Sequence, residues 1–510
     1  MSSTSASLPD WLASRAVSSP ERTALVAGGR TWTFGELDAD VTRTARGLAA
    51  QGARAGDRIA TLLHNTAAAV LLPHAALRLG ATLVPLNLRL SDAELSWQLG
   101  DAAPRLLVAE ERTMARVEHA NRQQSAIVTV CVDRDGVVSG DPTTGVRDAA
   151  DAPLRLAHDA DAVLAIIYTS GTTGQPKGAM LTVENFWWSA VGSALNLGTH
   201  VDDRWLACLP LFHVGGLSIV LRSAIYGIAA VVHDGFDPDA VNAAIDDGRV
   251  TIVSVVAVML QRMLDARRDR PYPPTLRCVL LGGGPAPLPL LERCASLHVP
   301  VVQTYGLTET CSQVATLAPE DAGRRAGAAG KALYPNELRI GTPSHGDGRD
   351  DEVGEILVRG PVVMAGYAGS PEATARAIVD GWLHTGDVGR LDAEGYLYVL
   401  DRRDDLIVTG GENVYPAEVE AVLLSHPSIA EVGVVGVADG TWGQRVVAVA
   451  RLGDAADGLD TAALQGLCRS LLAGYKVPRE IRLVTEPLPR TASGKLRRAA
   501  LRDLLAARES

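Results

Sequence analysis

From Trp11 to about Gly330 the chain alternates apolar runs of strand length with segments whose apolar residues recur at helical spacing and which close on Gly or Pro. The strand-like runs include Arg58 to Leu63, Ala81 to Pro85, Leu164 to Tyr168, Trp205 to Pro210, Thr251 to Val256, Arg277 to Leu281 and Val301 to Tyr305. This alternation predicts an α/β architecture: a large N-terminal domain of stacked, mostly parallel sheets with flanking helices. From Gly354 to Leu400 the pattern shortens to E-I-L-V-R-G and G-Y-L-Y-V-L between turns, predicting a small β subdomain. Five consecutive charges, Asp401 to Asp405, follow and read as a solvated turn or, because the pattern changes across them, a hinge. Beyond them Glu418 to Leu424 reads as a helix and Val432 to Val437 as a strand, enough for a compact α+β C-terminal domain. The expected division is 1–401 and 402–510. The acidic, Gly- and Ala-rich stretch from Asp133 to Asp161 reads mostly as a surface excursion.

Parallel sheets bind ligands beyond the carboxyl ends of their strands. Three loops hold such positions: Y-T-S-G-T-T-G-Q-P-K-G (168 to 178), G-G-G-P-A-P (282 to 287) and Y-G-L-T-E-T (305 to 310). The first suits a polyphosphate. Thr169, Ser170, Thr172 and Thr173 supply hydroxyls, Gly171, Gly174 and Gly178 admit close approach of the backbone, and Lys177 adds a cation. It is not a Walker loop, because counting from Gly171 puts Pro176 at the second glycine and Gly178 at the magnesium-binding hydroxyl.

The length of 510 residues exceeds what one core usually supports, and 47% hydrophobic content supplies more than one. A net charge of -11 argues against a nucleic-acid partner. The six cysteines are scattered without a C-x-x-C pair and read as free thiols; the eleven histidines show no ligand spacing, so no structural metal is expected. The N-terminus lacks the pattern of a signal peptide, and Ile219 to Val232 is too short to span a bilayer and contains Arg222, predicting a soluble, cytoplasmic protein. A homo-oligomer is compatible with the sequence.

In order along the chain, Y-T-S-G-T-T-G-Q-P-K-G, Y-G-L-T-E-T, H-T-G-D (384 to 387), D-R-R-D-D-L-I-V-T-G-G-E-N-V-Y-P-A-E (401 to 418) and P-R-T-A-S-G-K (489 to 495) resemble the signatures of the adenylate-forming superfamily of acyl-CoA synthetases, adenylation domains and luciferases. The resemblance runs from about Trp11 to the last helix. It implies that a carboxylate attacks the α-phosphate of Mg-ATP to give an acyl-adenylate and pyrophosphate, and that a thiol, CoA, then displaces AMP. It also implies roles: Tyr305 stacks on adenine, Gly283, Gly284 and Pro285 form the opposite wall, and Thr308 donates to the α-phosphate. Glu309 holds Mg2+, Asp387 accepts from the ribose hydroxyls with Arg402 beside it, and Lys495 and Lys177 offset phosphate charge. Asp404 matches the hinge about which the C-terminal domain rotates, and the Gly410–Gly411 pair flanks the pantetheine tunnel. Asp401 departs from the glycine of many relatives.

Longer segments, L-P-L-F-H-V-G-G-L-S-I (209 to 219), N-F-W-W-S-A-V-G-S-A-L-N-L-G (185 to 198), L-R-C-V-L-L-G-G-G-P-A-P (276 to 287) and Q-T-Y-G-L-T-E-T-C-S-Q (303 to 313), resemble 2-succinylbenzoate CoA ligases of menaquinone biosynthesis. Such a substrate carries two carboxylates, one activated and one recognised, and a cation in an apolar pocket meets the second need. Arg222 is the candidate; the residues alone leave it open between that role and an arginine reaching the surface from a helix edge. His213 reads as a gate or a packed histidine, Ser218 and Gln303 as contacts to substrate polar groups, and Trp187 and Trp188 as core. A ligase for a benzoate, malonate or fatty acid, and an adenylation enzyme loading a carrier protein, are the competing readings.

Overall fold

The structure, a computed structural model, describes residues 6–506 except 91, 123–126, 134, 137, 140–152, 170–175, 269, 285, 342–351, 403–406, 410–411, 440–441, 454–459, 473 and 492–493. Among the described residues an eight-stranded and a nine-stranded sheet dominate. In the first, Thr82–Pro85, Arg58–Leu62, Leu106–Glu110 and Val128–Val132 are parallel neighbours. Thr23–Ala27, Ala229–Val232, Arg204–Ala207, Ile252–Val255, Cys278–Leu281 and Val301–Tyr305 run parallel in the second. The predicted runs are therefore strands. One ends early: Trp205–Pro210 stops as a strand at Ala207. Pro210 has no amide hydrogen, and the Asn65 side chain takes the bonds around it, donating to the Leu209 carbonyl (2.8 Å) and accepting from the Leu211 amide (3.0 Å).

The helices Ala67–Leu79 and Val214–Tyr226 are buried over almost every residue. A helix apolar on all sides must be enclosed, and both belong to a core that reaches Leu83 and Leu106 of one sheet and Trp205, Ile252 and Leu280 of the other. A buried ionic cluster ties the N-terminal elements to it. Arg78, 1% exposed, donates to both oxygens of Asp10 at 3.0 and 3.1 Å and to Asp38. His158 approaches Asp10 Oδ2 at 3.3 Å. The end of the acidic stretch is mostly exposed, as expected of a surface excursion, but Ala157–Asp159 pairs with Ser7–Pro9 and buries His158 against Asp10.

The predicted small β subdomain is antiparallel, with Glu337–Gly341, Gly354–Arg359, Trp382–Leu391 and Leu397–Arg402 as successive neighbours. A separate sheet, Ile407–Thr409, Glu412–Val414, Ile429–Asp439, Gly443–Leu452 and Glu480–Val484, has its own core around Val434, Val446 and Leu464. The last helix begins at Arg498, which is held by Glu420 at 2.8 and 2.9 Å, so Lys495 and Arg497 precede that helix instead of lying on it. All six cysteines are free, and no helix among the described residues is long and apolar enough to cross a membrane.

Candidate active site

Tyr305 ends its strand, and the strand Cys278–Leu281 beside it leads into Gly283 and Gly284. The Tyr305 hydroxyl donates to Asp387 Oδ2 at 2.8 Å. Asp387 comes from the β subdomain, where the strand register sets it opposite the backbone of Arg402. The two candidates for adenine and ribose thus meet through one hydrogen bond between two sheets.

A second cluster gathers at Glu309. Val163–Thr169 and Lys177–Thr182 form an antiparallel pair, so the phosphate loop connects a hairpin, unlike the strand-to-helix turn of a Walker loop. Thr169 Oγ1 donates to Glu309 Oε1 at 3.3 Å, and Tyr367 donates its hydroxyl to the same oxygen at 2.9 Å. Burial, then the Glu309 charge, push the Tyr367 phenol well above its usual range, so it stays a donor. Lys177 Nζ lies 5.4 Å from the Tyr367 ring centroid, within cation–π reach. Glu309 has no cationic side chain at salt-bridge distance among the described residues. A carboxylate held by hydroxyl donors and not engaged in a salt bridge fits a hard divalent ion that shares its other ligands with phosphate and water.

The third cluster surrounds the helix Val214–Tyr226, whose N-cap is His213. Burial holds the His213 imidazole down at about 4, assisted by the positive charges of Arg89 and Lys495, so it is neutral near pH 7. Lys495 follows Gly494, which lies against the large domain at Val258. A Cβ on Gly494 would lie 3.9 Å from Val258. His213 Nε2 and Ser218 Oγ are buried without hydrogen-bond partners. Ser218 and Arg222, four residues apart, share a helix face. Arg222 is 3% exposed, which rules out the surface-reaching alternative. Its Nη2 donates to Ser189 Oγ at 2.7 Å, its Nε has no partner, and its carbon Cζ sits 5.9 Å from the Trp205 ring centroid. Burial lowers its pKa, opposed by Tyr226 and Cys311 and by no carboxylate among the described residues. Gln303 is buried in its strand, its carbonyl accepting from the Leu317 amide. Trp187 and Trp188 are half-buried against the main core.

Ser170, Gly171, Thr172, Thr173, Gly174, Pro285, Asp404, Gly410 and Gly411 lie outside the described residues, as does the Arg402 side chain. Sequence reasoning missed Tyr367, Asn65 and Ser189. Tyr367 had a signal, a lone aromatic in the small-residue run M-A-G-Y-A-G-S; the other two are polar residues whose partners lie more than thirty positions away.

Residues 12–368 match the AMP-binding enzyme family, and residues 418–495 match the AMP-binding enzyme C-terminal domain. The 2-succinylbenzoate–CoA ligase of Geobacillus kaustophilus is 50% identical over 501 residues, which are 98% of this chain and 98% of that one. The o-succinylbenzoate CoA synthetase (MenE) of Bacillus subtilis, in complex with the acyl-adenylate intermediate OSB-AMP, superposes with a TM-score of 0.88 at 42% identity, covering 98% of this chain and 99% of that one. The same synthetase in complex with ATP and magnesium ion gives 0.87 at 42% identity, covering 98% of this chain and 100% of that one. With residues 12–368, which hold Tyr305, Glu309 and Arg222, and residues 418–495, which end on Lys495, both matched, the chain belongs to the AMP-binding enzyme family.

Proposed function

We propose that this protein is an ATP-dependent acid:CoA ligase that converts 2-succinylbenzoate, ATP and CoA to 2-succinylbenzoyl-CoA, AMP and pyrophosphate, a step of menaquinone biosynthesis. The supporting observation is Arg222, a wholly buried guanidinium with an unpartnered Nε and no carboxylate partner among the described residues. An interior cation without a counter-ion is unfavourable, and a ligand carboxylate satisfies it. Full-length similarity to curated 2-succinylbenzoate–CoA ligases points to the same acid.

In this reading Tyr305, Gly283 and Gly284 enclose adenine and Asp387 holds the ribose, with Pro285 and Arg402 completing that side. Thr169, Ser170, Gly171, Thr172, Thr173, Gly174 and Lys177 wrap the phosphates. Magnesium, when bound with ATP at Glu309, neutralises phosphate charge. Arg222, with Ser218, His213 and Gln303, orients the acid by its ring carboxylate, leaving the succinyl carboxylate to face the α-phosphate. One succinyl oxygen bonds to α-phosphorus as the bond to the bridging oxygen breaks and pyrophosphate leaves. Lys495 and Thr308 donate to the phosphate oxygens, where negative charge crowds. Rotation about Asp404, dividing 1–401 from 402–510, withdraws Lys495. The CoA sulfur, having lost its proton, then bonds to the acyl carbon and AMP departs. Neutral His213 adds no charge that would compete with Lys495. ATP and CoA as co-substrates suit a cytoplasmic location, and a homo-oligomer is compatible with this reading.

Comparing 2-succinylbenzoate with 4-oxo-4-phenylbutanoate, which lacks the ring carboxylate, tests the pocket. The native enzyme should prefer the dicarboxylate strongly, and Arg222→Met should lose most of that preference, by roughly tenfold to a hundredfold, through the dicarboxylate alone. Equal losses on both acids would refute the assignment.

A further inference from the structure

Ser189 stands between two parts of the site, Arg222 and Cys311, that the sequence separates by 89 positions. On one side Arg222 Nη2 donates to its hydroxyl oxygen at 2.7 Å; on the other that hydroxyl donates to the Cys311 carbonyl at 2.6 Å. Ser189 is 2% exposed and Cys311 is fully buried, so water does not stand in for either bond. A buried chain of hydrogen bonds polarises along its length and fixes each member against the next.

Cys311 closes the turn that carries Thr308 and Glu309. Its amide donates to the Thr308 carbonyl at 3.0 Å, and the Ser312 amide donates to the Leu307 carbonyl at 3.0 Å. Cys311 and Ser312 both hold positive φ, 49° and 86°, a backbone conformation that residues other than glycine adopt at a cost and keep only when their surroundings hold it. The turn also packs without slack: a Cβ on Gly306 would fall 1.4 Å from the Ser312 carbonyl oxygen. Any shift of the Cys311–Ser312 backbone is therefore felt at Gly306, Thr308 and Glu309. The Ser189 hydroxyl is the side chain that anchors the Cys311 carbonyl.

We propose that Ser189 is a positioning residue shared by both halves of the site: its hydroxyl aims the Arg222 guanidinium at the acid and anchors the turn that presents Thr308 and Glu309 to magnesium and the α-phosphate. Recognition of the acid and binding of magnesium–nucleotide thereby depend on one hydroxyl. The proposal rests on the reading of Arg222 as the partner of an acid carboxylate.

Pyrophosphate release by the full chain, titrated separately with acid and with magnesium, tests this. Ser189→Ala should raise both the KM for 2-succinylbenzoate and the half-saturating magnesium concentration at least threefold; Ser189→Thr, which keeps the hydroxyl, should restore both. If the alanine variant does not fold, Ser189→Cys, with its weaker donor, should shift both constants by less. A shift in one constant alone, or in neither, would overturn the shared role. Arg222→Met separates the two readings: it should raise the acid KM and leave half-saturating magnesium in place, and an unchanged acid KM would instead remove the reading of Arg222.

Discussion

Tyr305 and Asp387, separated by 82 positions, are joined by a hydrogen bond of 2.8 Å in which the phenol is the donor. Both groups are buried, so each constrains the other before a nucleotide arrives. Asp387→Ala removes the proposed ribose acceptor and one hydrogen-bond acceptor of the buried phenol. It should raise the KM for ATP about tenfold or more and cost about 1–3 kcal/mol of stability, measured by initial rates and by denaturant unfolding. Tyr305→Phe keeps the ring and loses one bond, and should change the KM for ATP only a few-fold.

Lys495 lies in a loop of the C-terminal segment whose Gly494 packs against Val258 of the large domain, and its proposed role is to donate to the α-phosphate. Loss of a transition-state donor costs on the order of 3 kcal/mol, or roughly a hundredfold in rate. Lys495→Ala should therefore slow adenylation, measured by ATP–pyrophosphate exchange, by about that factor or more. Thioester formation from supplied acyl-adenylate should change far less.

Glu309 accepts from two hydroxyl donors, Thr169 and Tyr367, and no salt bridge joins it to a cation among the described residues. Glu309→Gln should raise the half-saturating magnesium concentration at least tenfold. Chelating magnesium from the native protein should abolish pyrophosphate release and leave Tm nearly unchanged, because Arg78, Asp10 and the cores hold the fold without it. Calorimetry with and without chelator checks this.

His74 is buried beside the Asp10–Arg78 cluster, and burial holds its imidazole down at about 4 from 6.5. A histidine with a depressed folded pKa is neutral in the native state, while the unfolded chain takes up the proton first. Stability should therefore be full above pH 6.5 and fall as the pH drops toward 4. His74→Leu, which removes the titrating group and its unpartnered Nε2, should lose less Tm than the native protein between those limits. A parallel decline in both proteins would contradict the assignment.

The strands were legible because buried parallel strands are written as continuous apolar runs, and their loops because glycine and hydroxyl residues followed them directly. The roles of Tyr305, Glu309 and Asp387 entered through motif resemblance, and the structure adds the bonds that join them to one another or to neighbouring side chains. Ser189 and Asn65 were illegible for a physical reason. A serine in a helix or an asparagine after a strand has no local pattern that names an acceptor in a distant segment, and each acquires meaning only when packing brings Cys311 or Leu209 against it. Arg222 was half-legible: its charge within an apolar run marked it, but only enclosure of the helix Val214–Tyr226 decides that it stays inside. His158 was illegible for the same reason as Ser189 and Asn65, since its partner Asp10 lies 148 positions away.

A competition assay tests the central claim most directly: purified protein with Mg-ATP, CoA and equimolar 2-succinylbenzoate, benzoate, malonate and octanoate, with every thioester identified by mass. 2-Succinylbenzoyl-CoA should dominate. A different dominant thioester would contradict the assignment of the acid, and acyl-adenylate accumulating without any thioester would contradict CoA as the acceptor.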